Sequence, residues 1–304
     1  MRDVFIVGSQ YWAGYLAAQL SARGYGADQV AHRPLQMCRI FFQPSRNVLV
    51  VGLGGDLTFK KFMIWAVVTL HWVLHRRDGG IILYWIGGDV VAAKHGSSRS
   101  LRQLWAFTRA RHIAGAPWFV DELRALGVNA SPVLFPYNTS IAASMRSSSV
   151  RENDQTTVCC YLLPSTWESQ YGARLMRLAS LLPDTSWTIM GMTQEQVPVN
   201  EVVPDNVEFL GWVGNPLEIL AANDVYVRLV SHDAYSGMVR DAQAMAKTVL
   251  YNMPVQGVVD TTGMDDKAIA TFIRNHSCET NQRSEGMSLP PFHDQIQVLA
   301  EAVG

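Results

Sequence analysis

Residues 224–252, DVYVRLVSHDAYSGMVRDAQAMAKTVLYN, read as strand, polar loop, helix and strand. The run 225–229 is β-branched and apolar between polar neighbours, the pattern of a parallel strand buried on both faces. Residues 231–237 gather Ser231, His232, Asp233, Tyr235, Ser236 and Gly237 into a loop. Met238, Val239, Ala242 and Met245 have the spacing of an amphipathic helix that runs from 238 to 246, and 248–251 make a second strand. A polar loop ending in glycine and running into a helix offers free N–H groups and the positive end of the helix dipole, so it suits an anion. Asp241 follows Gly237 by about one helical turn. Asp233 and Asp241 can therefore flank whatever binds at the helix start, each holding a polyhydroxy group with a phosphate between them. A loop acid that caps the helix and an exposed helix acid is the competing reading of the two carboxylates taken alone.

The 304 residues suffice for two domains. With 48% hydrophobic and 17% charged residues and a formal net charge of −1, the chain reads as a well-packed globular protein, and nothing global points to nucleic acid or an anionic membrane. Its cysteines, Cys38, Cys159, Cys160 and Cys278, form no CxxC pair, so neither a zinc site nor a disulfide framework is expected and a reducing cytoplasm fits. A strand begins at once at the N-terminus, and no signal peptide is read there.

Residues 3–7 (DVFIV) form that strand, and a helix over 12–22 follows GSQYWAG, the opening of a doubly wound α/β domain. Gly8 and Gly14 do not make GxGxxG, and no acidic residue closes a clear second strand, which speaks against a nucleotide-dependent dehydrogenase. Gly8 is expected to allow a tight turn through which a ligand approaches the strand end. Further strands are read at 39–42 and 48–52. Residues 59–75, FKKFMIWAVVTLHWVLH, are apolar on nearly every face, but their central run is far short of the ~20 residues that span a bilayer. Packing inside the domain is the favoured reading. The alternative is an interfacial helix, with Lys60, Lys61, Arg76 and Arg77 at its ends and Trp65 and Trp72 on one face. Residues 80–86 are a strong strand, after which Gly87-Gly88-Asp89-Val90 turns toward a helix. Asp89 falls beyond the carboxyl end of a parallel strand, where ligands of such sheets bind, and N-capping is its equal alternative. A strand at 111–116, a helix at 118–126 closed by Gly127 as C′ residue, and a strand at 133–135 complete this half.

The Ser-rich, aperiodic stretch 140–157 is the boundary. The expected division is 1–140, a linker at 141–157, a second domain over 158–290, and a terminal helix within 291–304. The second half reads as strand 158–163, polar loop Pro164-Ser165-Thr166, helix 170–182, strand 186–190, turn and strand 204–211, and helix 216–222. It then reaches the 224–252 unit, with helices at 265–275 and 295–303 after it.

The succession LLPSTWESQYG, LPDTSWTIMG, NVEFLGWV, NPLEILAANDVYVRL and SHDAYSGMVRDAQAMA resembles the C-terminal donor domain of family-four-like (group 1) bacterial glycosyltransferases of the GT-B fold, over residues 158–252. Asp233 and Asp241 are similar to their acid-x7-acid signature, with Asp where Glu is usual. YWIGGDV resembles a W-x-G-T-D-V segment with Gly88 for Thr. Glu122-Leu123, Leu126-Gly127 and Pro136 match the end of their first domain. The resemblance implies an α/β protein of two Rossmann-like doubly wound domains facing a cleft, with the terminal helix crossing back to the first.

The same resemblance implies a hexosyltransferase-type enzyme. It would move sugar from a nucleotide-sugar donor to a glycan or lipid-linked acceptor in bacterial surface polysaccharide synthesis, with retention at the anomeric carbon. On it, Asp241 binds the ribose and Asp233 the sugar hydroxyls. Backbone N–H groups near Ser236, Gly237 and Met238, with Arg228, stabilise the leaving diphosphate, and His232 and Tyr235 complete the donor loop. Gly8 and Ser165 lie near the diphosphate, and Asp89 orients the acceptor or acts as base. Family members carry an Arg and a Lys-Gly after the first strand of the donor domain. Here Tyr171-Gly172 falls at that place, leaving Arg228, and after it Arg174, to supply the charge. No Asp-x-Asp motif is present, and the resemblance implies no metal and no cofactor beyond the nucleotide-sugar as substrate, while the near-zero net charge leaves no nucleic acid partner expected. It places the protein in the cytoplasm, with peripheral contact at the inner membrane face through 59–75. Two competing expectations are a nucleotide-sugar epimerase of the same fold and a degenerate glycosyltransferase acting as a binding or scaffold protein, the latter motivated by the missing loop cations.

Overall fold

The computed structural model describes residues 4–8, 10–30, 47–52, 66–71, 73, 80–95, 110–146, 155–276 and 292–303. They divide into two compact units, Met1–Tyr137 with Pro290–Gly304, and Asn138–Leu289.

The first unit is a parallel sheet of β1 (Val4–Gly8), β2 (Ala27–Val30), β3 (Asn47–Val51), β4 (Gly80–Trp85), β5 (Arg111–Ala114) and β6 (Ala130–Pro132), in the order β2-β1-β3-β4-β5-β6. Strands VFIVG, NVLVV and GIILYW are buried along almost their whole length, as central strands covered on both faces must be. α1 (Gln10–Ser21), α2 (Gly88–His95) and α3 (Phe119–Ala125) are among the helices that connect these strands. β2 has no apolar signature because it is an edge strand, pairing only with β1, and it tolerates Asp28 and Gln29. The last strand lies earlier than expected. Residues 133–135 continue beyond β6, where Val133 N–H still donates to the Ala114 carbonyl at 3.0 Å and the Val133 and Phe135 side chains stay buried. α3 ends as its glycine predicts. Gly127 takes φ +79°, its N–H donates to Arg124 O and that of Val128 to Leu123 O, both at 2.9 Å.

The second unit is a parallel sheet of β7 (Thr157–Tyr161), β8 (Ser186–Met190), β9 (Val207–Gly211), β10 (Val225–Arg228), β11 (Thr248–Tyr251) and β12 (Val259–Asp260), in the order β12-β11-β10-β7-β8-β9. The chain winds outward from β7 in one direction and then restarts at β10 on the other side, so the order reverses between β7 and β10. Its helices are α4 (Ser140–Ser144), α5 (Gly172–Ser180), α6 (Pro216–Ala222), α7 (Gly237–Ala244) and α8 (Asp266–His276). Residues 140–144, at the start of the expected linker, thus form a helix, and it packs against α7. Val158, Cys160, Val225, Val227 and Leu250 face α5 and α8 in one core. Trp187 is fully buried there and satisfies its indole N–H on Thr185 Oγ1 at 2.8 Å. The adjacent Cys159 and Cys160 are free, buried thiols, and burial pushes the Cys160 pKa up to about 12.

α9 (Phe292–Val303) belongs to the first unit. Its Ile296, Leu299, Ala300 and Val303 complete the core built on β1, β3 and β4. Asn47 Nδ2 donates to Val303 O at 2.5 Å while its Oδ1 accepts Gly80 N–H at 2.9 Å, so one buried amide ties α9 to two strands. Of the expected helix at 59–75, residues 66–71 are described and helical. Val68 and His71 are buried while Leu70 and Val73 are half exposed. Its remaining residues, apart from Val73, and the expected strand at 39–42 lie outside the described residues. Among the described residues no helix is long and apolar enough to cross a membrane.

α7 closes with the same capping geometry as α3, Ala246 N–H donating to Gln243 O and Lys247 N–H to Ala242 O at 2.9 Å, but the residue at φ +57° is alanine. A Cβ in the left-handed region costs about 1 kcal/mol relative to glycine. Ala246→Gly is therefore expected to stabilise the second unit by about that amount, read as a higher midpoint in urea at unchanged m-value.

Candidate functional site

In an open parallel sheet, ligands bind beyond the carboxyl ends of the strands where the strand order reverses. In the second unit that point is flanked by the loop after β7 and the loop after β10. The two are joined directly, because Ser231 N–H donates to Ser169 O at 2.7 Å. From the other side the Asn252 amide grips Val230, accepting its N–H at 2.8 Å and donating to its carbonyl at 2.7 Å. The acid loop is thus pinned at both flanks before it reaches α7.

At its centre Arg228 Nε meets Asp233 Oδ2 at 2.5 Å, with both side chains only 12% exposed. The same Oδ2 accepts the Tyr251 hydroxyl at 2.9 Å, and Asp233 Oδ1 accepts the Ala234 N–H at 2.9 Å. Strand register explains the meeting, since Arg228 and Tyr251 are paired ends of β10 and β11. Burial, and then the Asp233 carboxylate, hold the Tyr251 phenol far above the usual range. For Arg228 burial pulls the pKa down, but Asp233 and the surrounding phenols outweigh it and the guanidinium stays charged. At the end of β7 burial raises the Tyr161 phenol, against the lowering effect of the Arg228 charge.

α7 begins at Gly237 without a side-chain cap, and Arg240 N–H is the first to bond back, to Ser236 O at 3.2 Å. The N–H groups at the helix start precede any intrahelical acceptor. Ser236, Gly237, Met238 and His232 are half-buried around it, whereas Asp241 is buried in the helix, 3% exposed. Tyr235 is held in the left-handed region at φ +63°. Its ring lies under the Arg240 guanidinium at 4.5 Å and its hydroxyl donates to Gln243 Oε1 at 2.8 Å. Burial pushes this phenol up to about 12. The Tyr235 side chain therefore braces the loop on α7.

Ser165 is exposed on a short 3-10 turn, Pro164–Thr166. Where the resemblance puts a lysine, Tyr171 adopts φ +50°, and Gly172 lies flat against the Trp167 indole, leaving no room for a Cβ. Gly172→Ala is expected to force that indole out of its buried seat at a cost of about 2–3 kcal/mol, visible as a lower melting temperature and changed tryptophan emission. Arg174 is not at the loop. Its Nε pairs with Asp266 Oδ1 at 2.6 Å and its Nη2 donates to Met264 O at 2.5 Å, which fixes α5 to the start of α8.

In the first unit, a Cβ on Gly8 would stand 2.7 Å from the Val51 carbonyl, so the missing side chain makes room for β3. Asp89 is buried, 6% exposed, inside the first turn of α2 and not at its cap. Its Oδ1 reaches back to accept Ile86, Gly87 and Val90 N–H groups at 2.9–3.0 Å. Its Oδ2 is buried with no hydrogen-bond partner among the described residues. Burial lifts its pKa to about 7 against those three donors. Sequence alone does not single out Tyr251 as a member of the Arg228 cluster. Its only sequence signal is its place at the end of a strand neighbouring the one that carries Arg228.

No protein-family model matches the chain, and no curated protein does. Solved structures do. Anabaena HepE in complex with UDP and glucose matches with a TM-score of 0.68 at 13% identity over 99% of each chain. Sucrose-phosphate synthase from Thermosynechococcus elongatus matches at 0.66 and 12% identity, over 99% of this chain and 96% of the other. The fold is GT-B. The same architecture also carries the UDP-GlcNAc 2-epimerase of Neisseria meningitidis bound to UDP-GlcNAc, at a TM-score of 0.56, 11% identity and 99% coverage of both chains.

Proposed function

We propose that the protein is a glycosyltransferase that takes its sugar from a nucleotide-sugar held at the switch point of the second unit. The observation that carries this is the Arg228 guanidinium, nearly buried and charged at the end of β10, with α7 starting without a side-chain cap at the far end of the loop that follows. A cation and an uncapped helix N-terminus at the two ends of one loop suit a diphosphate, and they would stabilise the charge that develops as it leaves. Asp241, buried in the next turn, is the residue assigned to the ribose. Asp89 has a pKa of about 7, the range of a group that exchanges a proton near neutrality, and it is assigned to orienting the acceptor hydroxyl. Retention of anomeric configuration, a glycan or lipid-linked acceptor of surface polysaccharide synthesis and peripheral membrane contact through residues 59–75 are the finer parts of the reading. HepE, bound to UDP and glucose, supports UDP as the first nucleotide to test.

A thermal-shift screen against UDP, GDP, CDP and dTDP sugars tests it. A ligand that binds only the folded protein adds about 2.7 kcal/mol of stability at a hundred times its dissociation constant. One nucleotide family is expected to raise the melting temperature of the wild type and to lose that effect in Asp241→Asn. No rise with any of them at millimolar concentration would sink the donor site. The epimerase found on the same fold supplies a second reading, and acceptor dependence separates the two. A transferase consumes donor in proportion to acceptor, whereas an epimerase converts the sugar nucleotide with none present.

A further inference from the structure

The acid-x7-acid resemblance assigns Asp233 to the sugar hydroxyls, but its carboxylate is already engaged. Oδ2 takes Arg228 Nε at 2.5 Å and the Tyr251 hydroxyl at 2.9 Å, and Oδ1 takes the Ala234 N–H at 2.9 Å. The side chain is 12% exposed. Arg228 is engaged differently. Only its Nε donates to a described residue, and the carboxylate therefore grips the guanidinium from one side. The Nη1 and Nη2 edge carries four further N–H bonds in a planar fork, the geometry that matches two phosphate oxygens. Tyr251 contributes a second link, because it closes β11 in register with Arg228 at the end of β10 and holds the shared carboxylate from that strand. The chain Arg228–Asp233–Tyr251 thus fixes the guanidinium fork relative to the ends of β10 and β11.

We infer that Asp233 is a positioning residue, which together with Tyr251 aims the Nη edge of Arg228 at the donor diphosphate, and that it does not bind the transferred sugar. The inference rests on the donor reading above. It predicts that the Asp233–Tyr251 arm governs affinity for the diphosphate and leaves nucleoside and sugar recognition untouched. A purely structural role would weaken all three together.

The test is calorimetric titration of the wild type, Asp233→Asn, Tyr251→Phe and Arg228→Lys. The probes are UDP, GDP, CDP and dTDP, each beside its nucleoside and its glucose conjugate. Tyr251→Phe removes one hydroxyl and keeps the ring in place, so it guards against a failure of Asp233→Asn to fold. The expected result is a loss of at least about tenfold in nucleoside diphosphate affinity for Asp233→Asn and a smaller loss for Tyr251→Phe, the scale of one charge-assisted hydrogen bond. Arg228→Lys keeps the charge but not the fork, so it is expected to fall with Asp233→Asn. Nucleoside affinity and the ratio of glucose conjugate to diphosphate affinity are expected to hold in every variant. If Asp233→Asn binds the diphosphate as the wild type does but loses the glucose conjugate, Asp233 is a sugar ligand and the inference falls while the donor reading stands. If no nucleoside diphosphate binds the wild type, both fall.

Discussion

Arg228→Met is expected to slow sugar transfer by about 10²–10³-fold, the loss that follows removal of one preorganised donor from a developing anion. Methionine keeps much of the stem's volume and removes the charge. Two observations set the size of the effect. The tyrosine and glycine at residues 171 and 172 bring no cation to the neighbouring loop, and Arg174 is spent on Asp266 and Met264. Arg228 therefore brings a cation to the carboxyl end of β10 at the switch point, while the Arg240 guanidinium of α7 is stacked on the Tyr235 ring. Stability falls as well, since the buried carboxylate of Asp233 loses its partner. Breaking a buried pair from one side costs about 3–5 kcal/mol, and the Tyr251 and Ala234 donors that remain hold the loss to about 3. Single-turnover transfer with saturating donor reads the first effect and urea unfolding the second. Wild-type turnover in a folded Arg228→Met protein would show that the leaving group is stabilised elsewhere.

What the sequence reveals of this site follows from what is periodic in it. The 224–252 unit was legible because a buried parallel strand, a loop of small polar residues and an amphipathic helix each have a local signature. β10, α7 and β11 fall within two residues of their expected bounds. Elements that bury little were not legible. β2 is a polar edge strand, β12 is two residues long, and α4 lies in a serine-rich stretch that resembles a linker. Side-chain partnerships were legible least of all. Arg228 and Asp233 are five residues apart, a spacing that means nothing in a helix or a strand, and they meet because the chain turns back after β10. Tyr251 joins them through the register of β11, and Arg174 finds Asp266 far along the chain. The left-handed Tyr171, Tyr235 and Ala246 carry no glycine or asparagine to announce them. Two of these three sit in the loops that flank the switch point, where the surrounding packing over-determines the backbone.

Asp89 carries the second large effect, on stability as a function of pH. Burial lifts its folded pKa from 3.8 to about 7 even though three backbone N–H groups converge on Oδ1. Its Oδ2, buried with no partner among the described residues, is the desolvated atom that makes ionisation unfavourable. Below the unfolded value both states are protonated and the group contributes nothing. As pH rises toward the folded value the unfolded chain ionises first, so the native state binds the extra proton and stability falls with rising pH. Above the folded value both states are ionised and the full penalty is present. That penalty is about 4 kcal/mol, from ~1.4 kcal/mol per pKa unit. Asp89→Asn cannot ionise, keeps an oxygen for the three N–H groups, and leaves a buried amide N–H₂ whose constant cost is about 1–3 kcal/mol. The variant is therefore expected to be the less stable protein near pH 4 and the more stable one near pH 8. Urea unfolding of both proteins across that range measures the crossover directly, with every other titrating group common to the two curves. Parallel curves would mean that Asp89 is ionised in the folded state well below pH 7, held by the three N–H groups. That would remove the neutral-pH proton exchange on which its assignment to the acceptor rests.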